Sequence, residues 1–252
     1  METMDRAGRR PLVIARGGAS ATAPEHTIAA FEAAIGEGAD AIGLRVRLTR
    51  DGHPVVFGSA MLQRTTNGRG LLSAHTMRDL KRLDAGGWKD PRFAGQRIQT
   101  LQEVLERFRE RTRFWIELPE GGGDQESIAE RVVSTMEIYE AVQLCLVYAT
   151  DRETLDRVRA LNQDVKLVAT WATGPLDHAL QTAQALDAVC ASVERLGAAD
   201  VETIRAAGLG CYVEMADEPA LVDRLVGWRV DGFLTGWPGR ARARIDQSDL
   251  RR

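Results

Sequence analysis

The sequence lacks any apolar run approaching the ~20 residues needed to span a bilayer. Its first apolar stretch, PLVIA at 11–15, is too short for the core of a secretory signal, and the METMDRAGRR before it is polar. A cytoplasmic protein with no membrane span is expected. Cysteine is scarce: Cys145, Cys190 and Cys211 are odd in number, far apart and set in apolar runs, which argues against a disulfide frame or a zinc site and for reduced core residues. No excess of one charge is present, since 33 Lys and Arg face 36 Asp and Glu for a net −3. That balance argues against a nucleic-acid track or an anionic membrane as the main partner. Low-complexity tails and interdomain linkers are missing too, so one domain over 1–252 is expected.

What is present is a rhythm. A length of 252 residues matches the roughly 250 of a (β/α)8 barrel. Eight β-rich runs recur: PLVIAR, AIGLRVRL, FWIEL, QLCLVYA, VKLVATW, AVCASV, CYVEMA and DGFLTGW. Each but the last precedes a clear helical pattern, such as TIAAFEAAIGEGA or LQEVLERFRERT. Alternation of this kind predicts a parallel sheet with crossover helices, and eight units close a TIM-type α/β barrel. After GHPVVFGS, the stretch from Ala60 to Thr100 is too long for a simple connection. It reads as a small inserted excursion over one barrel end, a candidate lid. PEGGGD at 119–124 reads as a flexible loop above the third barrel strand.

Barrel chemistry sits at the C-terminal strand ends. Side chains alternate along a strand, so Gly43 and Arg45 share a face, as do Trp115 and Glu117. Arg45 and Glu117 are therefore candidate mouth residues. Glu214 lies on the seventh barrel strand, and Trp171 and Trp237 lie near the ends of the fifth and eighth. A tryptophan at such a place is either core packing or a wall for a ligand. An arginine is either the partner of a carboxylate or an anion holder.

Three segments carry a resemblance: the long run from VIARGGASATAPEHTIAAFEAAI through LRVRLTRDGHPVVFGSAMLQRTTNGRG, then LKRLDAGGWKDPRFAGQRIQTLQEVLE, and later RVDGFLTGWP. Together they make the chain similar to the glycerophosphodiester phosphodiesterase family over nearly its whole length. The resemblance implies a TIM-type barrel with a small insertion, a divalent metal and two histidines that split a glycerophosphodiester. Against that pattern Arg16 and Gly17 stand where His-Arg is usual, and His26 stands where Asn is usual. Gly43 and Arg45 replace the Glu-x-Asp metal pair, while Gly58 and Ser59 replace a His-Asp. Glu117 survives from Glu-x-Lys with Pro119 in the lysine position, Glu214 takes the place of a tryptophan, and Gly236 interrupts TDRP.

A lone carboxylate beside a guanidinium repels the cation it should hold. Arginine, with a pKa above 12, exchanges protons poorly near neutrality. The expectation is therefore a divergent member without metal or cofactor, repurposed as a lyase, isomerase or cyclase acting on an anionic, partly apolar small molecule. A non-catalytic binding protein and a residual phosphodiester hydrolase are the alternatives. Glu117, Glu214 and His26 are the expected catalytic groups. Arg16 and Arg45 are expected on the ligand's charge, and Trp115, Trp171 and Trp237 on its apolar body.

Overall fold

Strand runs rich in Val, Ile and Leu alternate with amphipathic stretches, and each pair folds as a strand followed by a helix on its outer side. The computed structural model describes residues 10–119 and 125–249. The barrel strands are β1 (Leu12–Arg16), β2 (Ala41–Leu48), β5 (Arg113–Leu118), β6 (Cys145–Ala149), β7 (Lys166–Trp171), β8 (Ala188–Ser192), β9 (Gly210–Glu214) and β10 (Gly232–Thr235). The short antiparallel strands β3 (Pro54–Val56) and β4 (Gln99–Thr100) extend β2 outward. β1 pairs in parallel with both β10 and β2, which closes the eight-stranded barrel and matches the α/β expectation.

The crossover helices are α1 (Ile28–Gly36), α3 (Leu101–Phe108), α4 (Gln125–Ile138), α5 (Arg152–Leu161), α6 (Leu176–Thr182), α7 (Ala198–Ala206) and α8 (Pro219–Trp228), while α2 (Met77–Leu80) is a single turn within the excursion. A further helix that the sequence pattern does not announce, α9 (Pro238–Asp249), follows the eighth barrel strand. Its arginine-rich run hides the stripe, because only isolated apolar residues such as Ala241 and Ile245 are buried along it. Among the described residues no helix is long and apolar enough to cross a membrane.

Residue parity sorts the core. Ile14, Trp115, Tyr148, Val168, Cys190, Tyr212 and Leu234 pack inside the barrel, whereas Val13, Ile42, Phe114, Ile116, Val147 and Val189 pack outward among the helices. Two residues beyond the inward set, the same parity reaches Arg16, Arg45, Glu117, Thr170, Ser192 and Glu214, which form the polar ring at the C-terminal mouth. Cys145, Cys190 and Cys211 are free and buried, as expected. Burial raises their thiol pKa values, that of Cys211 to about 12.

The excursion after β3 has its own small core of Val55, Phe57, Leu62, Leu72, Leu80, Ala85 and Ile98. It leans on the loop after β1, where Lys89 Nζ donates to the Ser20 carbonyl at 2.8 Å. β4 then brings the chain back beside β3, and Thr100 opens α3 with a capping box to Glu103. The polar N-terminus at 1–9 and the glycine run of PEGGGD at 120–124 lie outside the described residues.

Candidate active site

The loop between β1 and α1 builds one wall of the mouth. Thr27 caps α1 by accepting from the Ala30 N–H, and the His26 N–H donates to the Gly17 carbonyl at 2.8 Å. This bond holds His26 in the left-handed region at φ 61°, a conformation that Asn and His adopt more readily than most side chains. The imidazole then needs room, and two glycines give it. A Cβ at Gly58 would lie 3.0 and 3.1 Å from His26 Cδ2 and Nε2 and 2.6 Å from Glu25 Oε1, while one at Gly17 would lie 3.5 Å from Nε2. His26 thus occupies the space into which larger residues at 58 and 17 would project.

Arginines supply the charge. Arg45 and Glu117 are register partners on β2 and β5 and form an ion pair through Arg45 Nη2 and Glu117 Oε1. Arg45 Nη1 also donates to the Gly58 carbonyl at 3.0 Å. Arg16, from the end of β1, and Arg64, from the excursion, line the same pocket with Glu25 and His26. Arg47, next in the β2 parity, has a buried Nε without a hydrogen-bond partner, and burial followed by the charge of Arg45 lowers its pKa. His26 feels the whole group. Burial first, then the charges of Arg45, Arg16 and Arg47, lower its pKa to about 3, so the ring is neutral near pH 7. His26 as a residue is half-buried, yet its Nδ1 is shut off from solvent without a hydrogen-bond partner.

The pocket is small, about 70 Å³, and polar walls dominate it. A water occupies roughly 30 Å³ of liquid, so the space suits a phosphate-sized group and falls well short of the roughly 300 Å³ from which pockets for larger organic ligands start. The expected wall of three tryptophans for an apolar body is corrected by their placement, since only Trp115 lines the pocket. Trp115, 1% exposed, forms the floor, with its ring centroid 5.5 Å from that of Tyr148 and 5.1 Å from that of Tyr212. Trp171 is not at the mouth: its odd position on β7 turns it outward into the helix-side core, 5% exposed, where Nε1 donates to the Gly174 carbonyl at 3.2 Å. Trp237 also lies off the pocket, beyond β10, with the Arg240 guanidinium 3.6 Å from its ring centroid. Glu214 is engaged elsewhere in the ring, accepting from Tyr148 Oη at 2.5 Å, and Tyr148 Oη lies 2.9 Å from Thr170 Oγ1.

The divalent metal that the fold family implies does not fit these residues. Among the described residues no group of three or more His, Cys, Asp or Glu is placed to hold one. The mouth carboxylate nearest the strand ends, Glu117, is taken by Arg45, and Arg16 and Arg64 add positive charge to the same pocket. Such a donor set attracts an anion. Three contributors escape sequence reasoning. Glu25 adjoins His26 in the run APEHT, and Arg47 follows the 43, 45 parity, so a signal for both is present in the sequence. Arg64 arrives only through the fold of the excursion.

The pattern of the glycerophosphoryl diester phosphodiesterase family matches residues 17–240. A glycerophosphodiester phosphodiesterase of Bacillus subtilis is 29% identical over 91% of this chain and 84% of its own. A putative glycerophosphodiester phosphodiesterase of the same organism is 32% identical over 90% and 94%. An Oleispira antarctica phosphodiesterase, solved with its product sn-glycerol-3-phosphate, superposes with a TM-score of 0.88 at 26% identity, covering 94% of this chain and 97% of that one. These relatives overturn the expectation of a repurposed lyase, isomerase or cyclase and of a non-catalytic binder. Proteins 29% and 32% identical over most of the chain carry the phosphodiesterase name, and none of these likenesses points to another reaction. The chain belongs to the glycerophosphoryl diester phosphodiesterase family.

Proposed function

We propose that this chain hydrolyses phosphodiesters of the glycerophosphodiester class and that guanidinium charge, in place of a divalent metal, holds the phosphate. The observation that carries the proposal is the phosphate-sized pocket lined by Arg16, Arg45 and Arg64 at the C-terminal barrel mouth. On this reading Arg16 and Arg45, standing where a histidine and a carboxylate would serve a metal, serve the anion directly, while Gly43 and Gly58 carry no charge at all. Arginine suits this task because its planar donors match phosphate oxygens in pairs.

In hydrolysis the oxygen of water bonds to phosphorus and the P–O bond to the leaving alcohol breaks. Water gives up one proton and the departing oxygen gains one. Arg16, Arg45 and Arg64 neutralise the non-bridging oxygens as charge builds on them. Glu25, on the pocket wall and outside any ion pair to a described residue, accepts the proton of water. His26, protonated when the negative charge of the bound diester offsets the arginines, supplies the proton to the leaving oxygen. Glu117 positions Arg45, and Glu214 with Tyr148 braces the opposite side of the ring.

The test is release of sn-glycerol 3-phosphate from glycerophosphodiesters, followed with chelator and with added Mg2+ or Ca2+. Turnover that persists in chelator, and falls roughly a hundredfold or more in kcat/KM for Arg45→Met, is expected. Absence of turnover in every condition, or turnover that appears only with added metal, would overturn the proposal.

A further inference from the structure

The mouth contains one titratable side chain whose position is unusual for its surroundings. His26 is neutral in the free protein, yet it sits among positive charges and carries a buried nitrogen without a partner. The groups that face it are Arg16 from β1, Arg45 and Arg47 from β2, and the other pocket residues Glu25, Arg64 and Glu117. Burial disfavours its charge first, and the guanidiniums of Arg45, Arg16 and Arg47 add to that through their field. An anion among those arginines reverses that field.

We propose that His26 is the proton carrier of this pocket: it takes up a proton from water when a tetrahedral oxyanion seats among the arginines, and gives it to the departing alkoxide of a bound ester or back to water when the anion leaves. The proposal rests on the phosphate-pocket reading above. Its structural support is the left-handed backbone at His26, the bond from its N–H to the Gly17 carbonyl, and the space beside Gly17 and Gly58 that seats Nε2. A unit negative charge about 4 Å away raises a histidine by roughly 3 pKa units at an effective dielectric near 20. The single charge of a bound diester therefore lifts the ring from about 3 to the acid side of neutrality, and a dianion lifts it further. Without the anion the ring therefore holds no proton to waste on solvent, and with it the ring holds one at the place where an alkoxide must be protonated.

Inorganic sulfate is the probe, because it is a tetrahedral dianion that does not itself titrate above about pH 3. Its affinity for the whole protein is measured by calorimetry between pH 6.5 and 5, in buffers of different ionisation heat, beside ring-nitrogen NMR of His26. The expected result is an affinity that strengthens several-fold to about tenfold per pH unit as pH falls, with close to one proton taken up per sulfate at the acid end. The His26 resonances should shift to the protonated form on binding. In His26→Asn, which keeps a side chain suited to the left-handed backbone, sulfate should still bind with a flat pH profile and no uptake through this site. Sulfate binding to wild type with a flat profile, or an equal slope in His26→Asn, would overturn the proton carrier and leave the phosphate pocket standing. Failure of wild type to bind sulfate at any of these pH values would overturn both.

Discussion

Replacing Gly58 with alanine tests whether the imidazole of His26 occupies the mouth as described. The added Cβ meets Glu25 Oε1 at 2.6 Å and His26 Cδ2 and Nε2 at 3.0 and 3.1 Å. Glu25 is the end of a flexible chain and can swing aside at little cost. His26 has less freedom, because its N–H is tied to Gly17 and its backbone lies at φ 61°. Overpacking of this kind costs about 1–3 kcal/mol. For a chain of 252 residues, with roughly 2–4 °C of Tm per kcal/mol, the melting temperature should fall by about 2–12 °C. The chemical shifts of the His26 ring should move with it. A control at Gly36, an exposed helix end where a Cβ meets nothing within 4 Å, should be neutral or raise the Tm slightly on conversion to alanine. In a double-mutant cycle, His26→Asn should recover part of the loss at Gly58→Ala, with a coupling of about 0.5–2 kcal/mol. An unchanged Tm together with unchanged His26 shifts in Gly58→Ala would refute the packing described for this wall.

Further outcomes follow from the same geometry. His26 is held near pKa 3 in the folded protein against about 6.5 unfolded, so its contribution is complete above about pH 6.5 and is lost as pH falls toward 3. Denaturant titrations should show wild type losing up to a few kcal/mol more than His26→Asn over that window, and parallel curves for the two proteins would contradict it. Tyr148→Phe removes the hydroxyl that donates to Glu214 and should cost about 1–2 kcal/mol, read as a lower urea midpoint at unchanged slope. Cys145, Cys190 and Cys211 are buried with raised pKa values, so a thiol reagent at pH 8 should react with none of them before unfolding and with all three in guanidinium chloride.

Much of the frame is legible in the residues themselves. The eight strands fall where the β-rich runs stand, because a strand buried inside a barrel needs a short apolar run and a helix outside it needs a stripe. Parity along β2 and β5 is equally legible, and it puts Arg45 and Glu117 on one face, where register makes them ion-pair partners. Trp171 shows where proximity to a strand end misleads: counting on from Val168 and Thr170 turns it outward, away from the mouth. The helix α9 is hidden for a different reason, since its few buried apolar residues are outnumbered by arginine and other polar neighbours.

The departures at the mouth are visible residue by residue, but their sum is not. Arg16 and Gly58 suggest lost chemistry when read alone, because a sequence does not show that the side chain of residue 26 fills the space beside 58. The lining of the pocket is equally hidden, and it leaves Trp171 and Trp237 outside the site that the sequence assigns them to. The sequence by itself determined the barrel, its insertion and the charge type at each strand end, because these depend on local periodicity and on parity within single strands. Only the tertiary structure decided that Glu117 is bound by Arg45, that Arg64 crosses from the excursion, and that a neutral His26 stands among guanidiniums. Those facts depend on distances between segments remote along the chain, and the electrostatic energy that gives them meaning changes steeply over a few ångströms.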